Sequence, residues 1–63
     1  MIKLTKYSTE QLLYVAAIDV RRLTAAEDGE GTYVKFGDGE QVRVREEAQE
    51  VARLVELEVG RGR

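Results

Sequence analysis

One stretch constrains this chain more than any other: TYVKFGDGEQVRVR, residues 32–45. Val34 and Phe36 alternate with Tyr33 and Lys35, and Val42 and Val44 alternate with Gln41, Arg43 and Arg45. A period of two is the signature of strands with one buried face. The turn between them must keep the apolar residues of both strands on one side. A two-residue loop at Asp38-Gly39 would oppose Val34 to Arg43 and mix core with solvent. A three-residue loop, Gly37-Asp38-Gly39, opposes Val34 to Val42, with Gly39 at the left-handed position. The sequence therefore predicts a hairpin with a three-residue turn.

The remaining strands read less sharply. MIKLTKY alternates, with Ile2 and Leu4 on one face and Lys3 and Thr5 on the other. Ser8 and Thr9 suit a turn, and Leu12 to Val15 read as a second strand paired with the first. A helix over residues 8–17 competes, because Ser8, Thr9 and Glu10 resemble a helix start and Ala16 and Ala17 suit a helix. Tyr14 and Val15 favour the strand. Val20 and Leu23 lie three apart, so a shared face requires a turn or bulge between them. A short turn over Ile18 to Arg21 leading into a strand over Arg22 to Ala26 meets that need. EDGEG, residues 27–31, is a strong turn signal.

After Arg45 the period changes. Ala48, Val51, Ala52, Val55 and Val59 form one stripe of an amphipathic helix, with Leu54 beside it. Glu46 and Glu47 fall in its expected first turn, where the helix dipole favours carboxylates. Glu50 and Arg53 are spaced to pair, and Gly60 offers a stop. The fold class is α+β: a small antiparallel sheet of about four strands with one C-terminal amphipathic helix packed on it. Residues 1–59 form a single domain and residues 60–63 a flexible tail. The expected core contains Ile2, Leu4, Leu13, Val15, Val20, Leu23, Val34, Phe36, Val42, Val44, Val51 and Val55.

With 63 residues and no Cys, the chain has a small core and no disulfide to reinforce it, which favours oligomerisation or docking on a partner. The absence of Cys and His removes the usual zinc, haem and iron–sulfur ligand sets. The two Gly-x-Gly stretches each lead into a strand, whereas a phosphate loop leads into a helix N-terminus. Asp28 with Glu30, and Asp38 with Glu40, are acidic pairs without the further ligands of a calcium loop. Ser8 is the sole Ser and has no evident base, and Glu46, Glu47 and Glu50 read as a solvated helix face. No catalytic residue, cofactor site or metal site is assigned, and the expectation is a non-enzyme. The net charge of −2 argues against general binding of nucleic acid. The polar start MIKLTKYSTE does not suit a signal peptide, and no apolar run reaches membrane-span length. A cytoplasmic location without membrane insertion is expected.

Two surfaces stand out. The hairpin register places Tyr33, Lys35, Arg43 and Arg45 together on the face away from the helix, with Lys3 and Arg22 able to extend it. An aromatic among cations on an open sheet suits base stacking and phosphate contact; it is equally an ordinary solvated face with a cross-strand pair. The second surface is apolar. Leu12 and Tyr14 lie on the far face of their strand, and Leu54 and Leu57 widen the helix stripe. One helix cannot cover all of these, so a contact with a second copy or another protein is expected there.

The order of segments resembles the FlbD-type flagellar and swarming-motility family. The resemblance rests on MIKLT at the start, YVAAIDVRRL in the middle, YVKFGDGEQVRVRE across the hairpin and AQEVARLV in the helix, and it spans most of residues 1–56. That family's Leu-Asn-Gly turn is replaced by YSTEQ, and the Asn after its second strand by Ala16. The resemblance implies a non-enzymatic accessory protein of the flagellar motor, and no catalytic residue to carry over. Three functions are expected from the surfaces and the resemblance together. The first is a protein-binding adaptor in motility. The alternatives are a phage-encoded inhibitor or regulator of a host protein, and a nucleic-acid-binding regulator using the open sheet face.

Overall fold

A computed structural model describes residues 1–61. Five strands and one helix follow the chain: β1 (Ile2–Thr5), β2 (Leu12–Val15), a single 3-10 turn (Ala17–Asp19), β3 (Val20–Ala25), β4 (Thr32–Phe36), β5 (Gln41–Val44) and α1 (Ala48–Arg61). The fold is α+β, as expected, with five strands in place of about four. They form two antiparallel sheets, β1–β2 and β3–β4–β5. A bridge between Lys6 and Val44 joins them. It is flanked by hydrogen bonds from Tyr7 N–H to the Arg43 carbonyl (3.0 Å) and from Arg45 N–H to the Thr5 carbonyl (2.8 Å).

The main hairpin has the register its alternation dictates. Val34 opposes Val42 and Tyr33 opposes Arg43. Phe36 N–H donates to the Glu40 carbonyl at 2.8 Å, closing a loop of Gly37, Asp38 and Gly39, and Gly39 takes φ +91°. The 8–17 ambiguity resolves as strand at Leu12–Val15, because pairing with β1 buries Leu4 and Ile2 beneath it. The expected irregularity between Val20 and Leu23 is present as a register shift between Val20 and Arg22. The strand itself starts earlier than expected, at Val20, because the preceding 3-10 turn ends at Asp19.

Ile2, Leu4, Ala17, Val34, Val44 and Val51 form the buried core, and Val15, Val20, Leu23, Phe36, Val42, Leu54 and Val55 pack around it. α1 lies across the 3-10 turn, β3 and β1. Leu13 is only half-buried, while Ala17, Ala26 and Thr32, absent from the expected core, are buried. Two expectations about the helix need correction. It passes through Gly60 to Arg61, since a helical glycine costs only about 1 kcal/mol relative to Ala and does not force a stop. Of the expected tail, Gly62 and Arg63 lie outside the described residues. Glu46 and Glu47 precede the helix, and Glu46 points inward, away from the expected solvated face. Its carboxylate accepts hydrogen bonds from Thr5 N–H (2.9 Å) and Thr5 Oγ1 (3.0 Å). Its carbonyl accepts one from the buried Thr32 hydroxyl at 2.8 Å. This knot ties β1, β4 and the start of α1 together.

Candidate functional site

The outer face of the three-stranded sheet carries the expected cationic residues, but two of them are engaged within the chain. Arg43 lies over the Tyr7 ring, 3.9 Å from its centroid, and 5.5 Å from that of Tyr33. Its guanidinium bonds both carboxylate oxygens of Asp28 at 2.9 Å and the Glu30 carbonyl at 2.7 Å. The Tyr7 hydroxyl donates to the Glu30 carboxylate. Two turns therefore meet on one arginine of β5: the β1–β2 turn through Tyr7 and the β3–β4 turn through Asp28 and Glu30.

The electrostatics follow from these contacts. Hydrogen bonding to Glu30 raises the Tyr7 phenol, because a carboxylate acceptor favours the protonated hydroxyl. The Glu30 backbone N–H and then the Arg43 guanidinium hold Asp28 below the usual carboxylate range. Arg43 is raised in turn by its bond to Asp28.

Arg45 pairs with Glu10 at 2.8 Å and stands 5.7 Å from the Tyr7 ring. Lys35 is exposed, between Arg22 on one side and Gln41 on the other. Lys3 lies in the other sheet, opposite Tyr14. Sequence reading missed Tyr7, Asp28 and Glu30 as partners of Arg43. The turn signal that flagged residues 27–31 located two of them, but their convergence depends on how the β1–β2 turn folds over β5.

The acidic glycine turns are closed on themselves. Asp28 accepts from the Glu30 N–H at 3.0 Å and Asp38 from the Glu40 N–H at 2.9 Å, the usual way an Asp stabilises a turn. Among the described residues no group of three or more acidic side chains could hold a metal ion.

The apolar surface is centred on β2. Leu12 is 52% exposed and Tyr14 59%, while Leu13 and Val15 turn inward. Ile18 (77%) and Leu57 (54%) are further exposed apolar side chains. Leu54, expected beside them, is half-buried and packs against the core. An open groove adjoins the end of β2, lined by Tyr14, Val15, Asp19, Arg21, Phe36 and Asp38 among others.

Compared with known protein families, curated proteins and solved structures, the chain matches none of them. No helix among the described residues is long and apolar enough to cross a membrane. The fold and surfaces define a small α+β protein with an uncovered apolar strand.

Proposed function

We propose that this chain is a non-catalytic protein-binding module and that it binds through β2. One observation carries the reading: Leu12 and Tyr14 are both more than half exposed on a strand that has a neighbour on only one side. Two large apolar side chains on an open sheet edge are costly to leave in water and are the usual anchors of protein interfaces. The commitment of Arg43 to Asp28 and of Arg45 to Glu10 favours a protein partner over nucleic acid, because these cations already have carboxylate partners. The resemblance to the flagellar and swarming-motility family gives the reading its specific form, an accessory adaptor of motility. A phage-encoded regulator of a host protein would use the same surface.

The test compares the wild-type chain with Leu12→Ser/Tyr14→Ser by light scattering and by affinity capture from cells. The wild type should self-associate or retain a defined protein partner, and the double variant should lose it with an unchanged circular dichroism spectrum. A wild-type chain that is a strict monomer and retains no partner would remove the reading.

A further inference from the structure

We propose that β2 is a self-association edge: two copies pair antiparallel along β2 about a two-fold axis at Leu13, continuing the β1–β2 sheet across the interface. This rests on the reading of β2 as the binding surface and adds the occupant and the register.

The phase of the β1–β2 ladder decides which backbone groups face outward. Lys6 N–H donates to the Gln11 carbonyl at 2.8 Å. That pair continues the register in which Leu4 opposes Leu13 and Ile2 opposes Val15. Bonded and non-bonded pairs alternate in an antiparallel ladder. Lys3–Tyr14 and Thr5–Leu12 are therefore non-bonded pairs, whose N–H and C=O groups point away from each other. The far side of β1 agrees with this phase, since the Thr5 carbonyl accepts from Arg45 N–H. On β2 the outward groups belong to Leu12 and Tyr14, and they have no backbone partner among the described residues.

Outward groups two residues apart are what a strand needs to pair with itself. With Leu13 opposite Leu13 of a second copy, Leu12 exchanges both backbone bonds with Tyr14 of that copy, and Tyr14 does the same with its Leu12. The exposed side chains then stand side by side, Tyr14 against Leu12 of the second copy. Each row across the outer face reads Lys3, Tyr14, then Leu12 and Thr5 of the second copy. The two Lys3 side chains thus stand at opposite corners. Residues 11–18 carry no charge, so this register sets no like charges face to face. Of the other edges, β3 is blunted by its register shift and by Arg21 and Arg22, and on the outer side of β1 the Thr5 backbone groups are already taken by Glu46 and Arg45. Strands of four residues make a small interface, so the association is concentration-dependent.

The chain has no cysteine, so one introduced thiol reports the pairing without background. Full-length Leu13→Cys should form a disulfide-linked dimer on mild oxidation. Residues opposed in a non-bonded pair have Cα atoms about 4.5 Å apart, within disulfide reach. Ala25→Cys, on the β3 edge, should form no disulfide-linked dimer. Leu12→Pro removes an outward N–H and leaves the β1–β2 bonds in place. It should weaken the dimer about tenfold or more in sedimentation equilibrium. If that variant does not fold, Tyr14→Lys, which leaves the backbone unchanged, should show the same loss. A wild type that dimerises while Leu13→Cys stays unlinked, or while the folded edge variant dimerises normally, overturns edge pairing and leaves the binding reading intact. A wild type that stays monomeric at millimolar concentration also overturns it, and the binding reading then depends on partner capture alone.

Discussion

The two sheets of this protein are built from strands of similar length, yet they treat their polar groups in opposite ways. The three-stranded sheet closes on itself. Glycine occupies each left-handed position in its turns, Gly29, Gly31 and Gly39. Its central cation, Arg43, is shared by Asp28, Glu30 and Tyr7. Its free edge is bulged and charged. The two-stranded sheet stays open. Its turn places Glu10, not glycine, at φ +59°. Its edge strand is uncharged and shows Leu12 and Tyr14 to solvent. The difference separates the part of the molecule that holds its shape from the part that has something left to bind with.

The most damaging way to break this contrast is at Gly31. A Cβ there would sit 2.2 Å from the Val44 carbonyl oxygen, on a backbone at φ +81°. Gly31→Ala should cost about 3 kcal/mol or more, because strain and a backbone clash combine. Gly29→Ala has the same sign of φ, +77°, and nothing within 4 Å. It should cost about 1–2 kcal/mol, the left-handed penalty alone. Urea unfolding of both variants checks the pair, and equal costs would mean that the β3–β4 turn does not rest against β5.

Next in size is the seam between the sheets. Glu46→Ala removes the acceptor of two hydrogen bonds from Thr5. It should lower stability by about 2 kcal/mol, as bonds to a charged group are worth more than neutral ones. Glu46→Gln keeps one acceptor oxygen and should recover part of the loss.

The Arg43 clamp should matter less, because it lies at the surface. Arg43→Met keeps an unbranched apolar side chain and drops the guanidinium that lies over Tyr7 and bonds Asp28, and the melting midpoint should fall by a few degrees. Arg43→Lys should not restore it, since an ammonium has no second nitrogen to bond the Glu30 carbonyl as Nε does and no planar group to lie over Tyr7. The clamp also sets a pH window. Asp28 has a depressed folded pKa, so its contribution is present above the ordinary carboxylate value of about 3.9 and is lost as pH falls through the folded one. Tyr7 has a raised folded pKa, so its contribution is present below about 10 and is lost as pH rises through the folded one. Arg43→Met should make the acid limb of a plot of stability against pH shallower without abolishing it, because the Glu30 N–H still holds Asp28 down. An acid limb unchanged by the substitution would show that Arg43 adds nothing to the hold that the Glu30 N–H has on Asp28.

Local pattern carried the α+β class, the β4–β5 register and the irregularity before Leu23, because each follows from which residues must share a face. The same alternation placed Tyr33 opposite Arg43 and turned Leu12 and Tyr14 outward. What alternation cannot convey is contact between distant turns. Nothing near Tyr7 marks it as the platform for Arg43, and nothing near Glu46 announces Thr5, forty-one residues earlier. Both depend on β1 bending past its pairing with β2 to meet β5 at Lys6. Leu54 was placed among the exposed residues for the same reason: the burial of a stripe's margin depends on what the helix lies against, here the 3-10 turn as well as the sheet.

The smallest expected effect is a gain, and it bears on why the β1–β2 sheet is the looser of the two. Glu10 holds a left-handed conformation in a turn with no glycine, which costs about 1–2 kcal/mol for an L-residue. It also pairs with Arg45, but both side chains are half or more exposed, and such pairs contribute about 0–1 kcal/mol. Glu10→Gly relieves the strain, loses the ion pair, and adds freedom to the unfolded chain worth about 0.5–1 kcal/mol. Placing the substitution in an Arg45→Ala background removes the ion pair from the comparison. The net there should be a stabilisation of roughly 0.5 kcal/mol, read as a rise in the urea midpoint at constant slope. A fall instead would mean that the Glu10 side chain holds the turn through something other than Arg45, and the contrast between a glycine-relaxed sheet and a strained one would lose its footing.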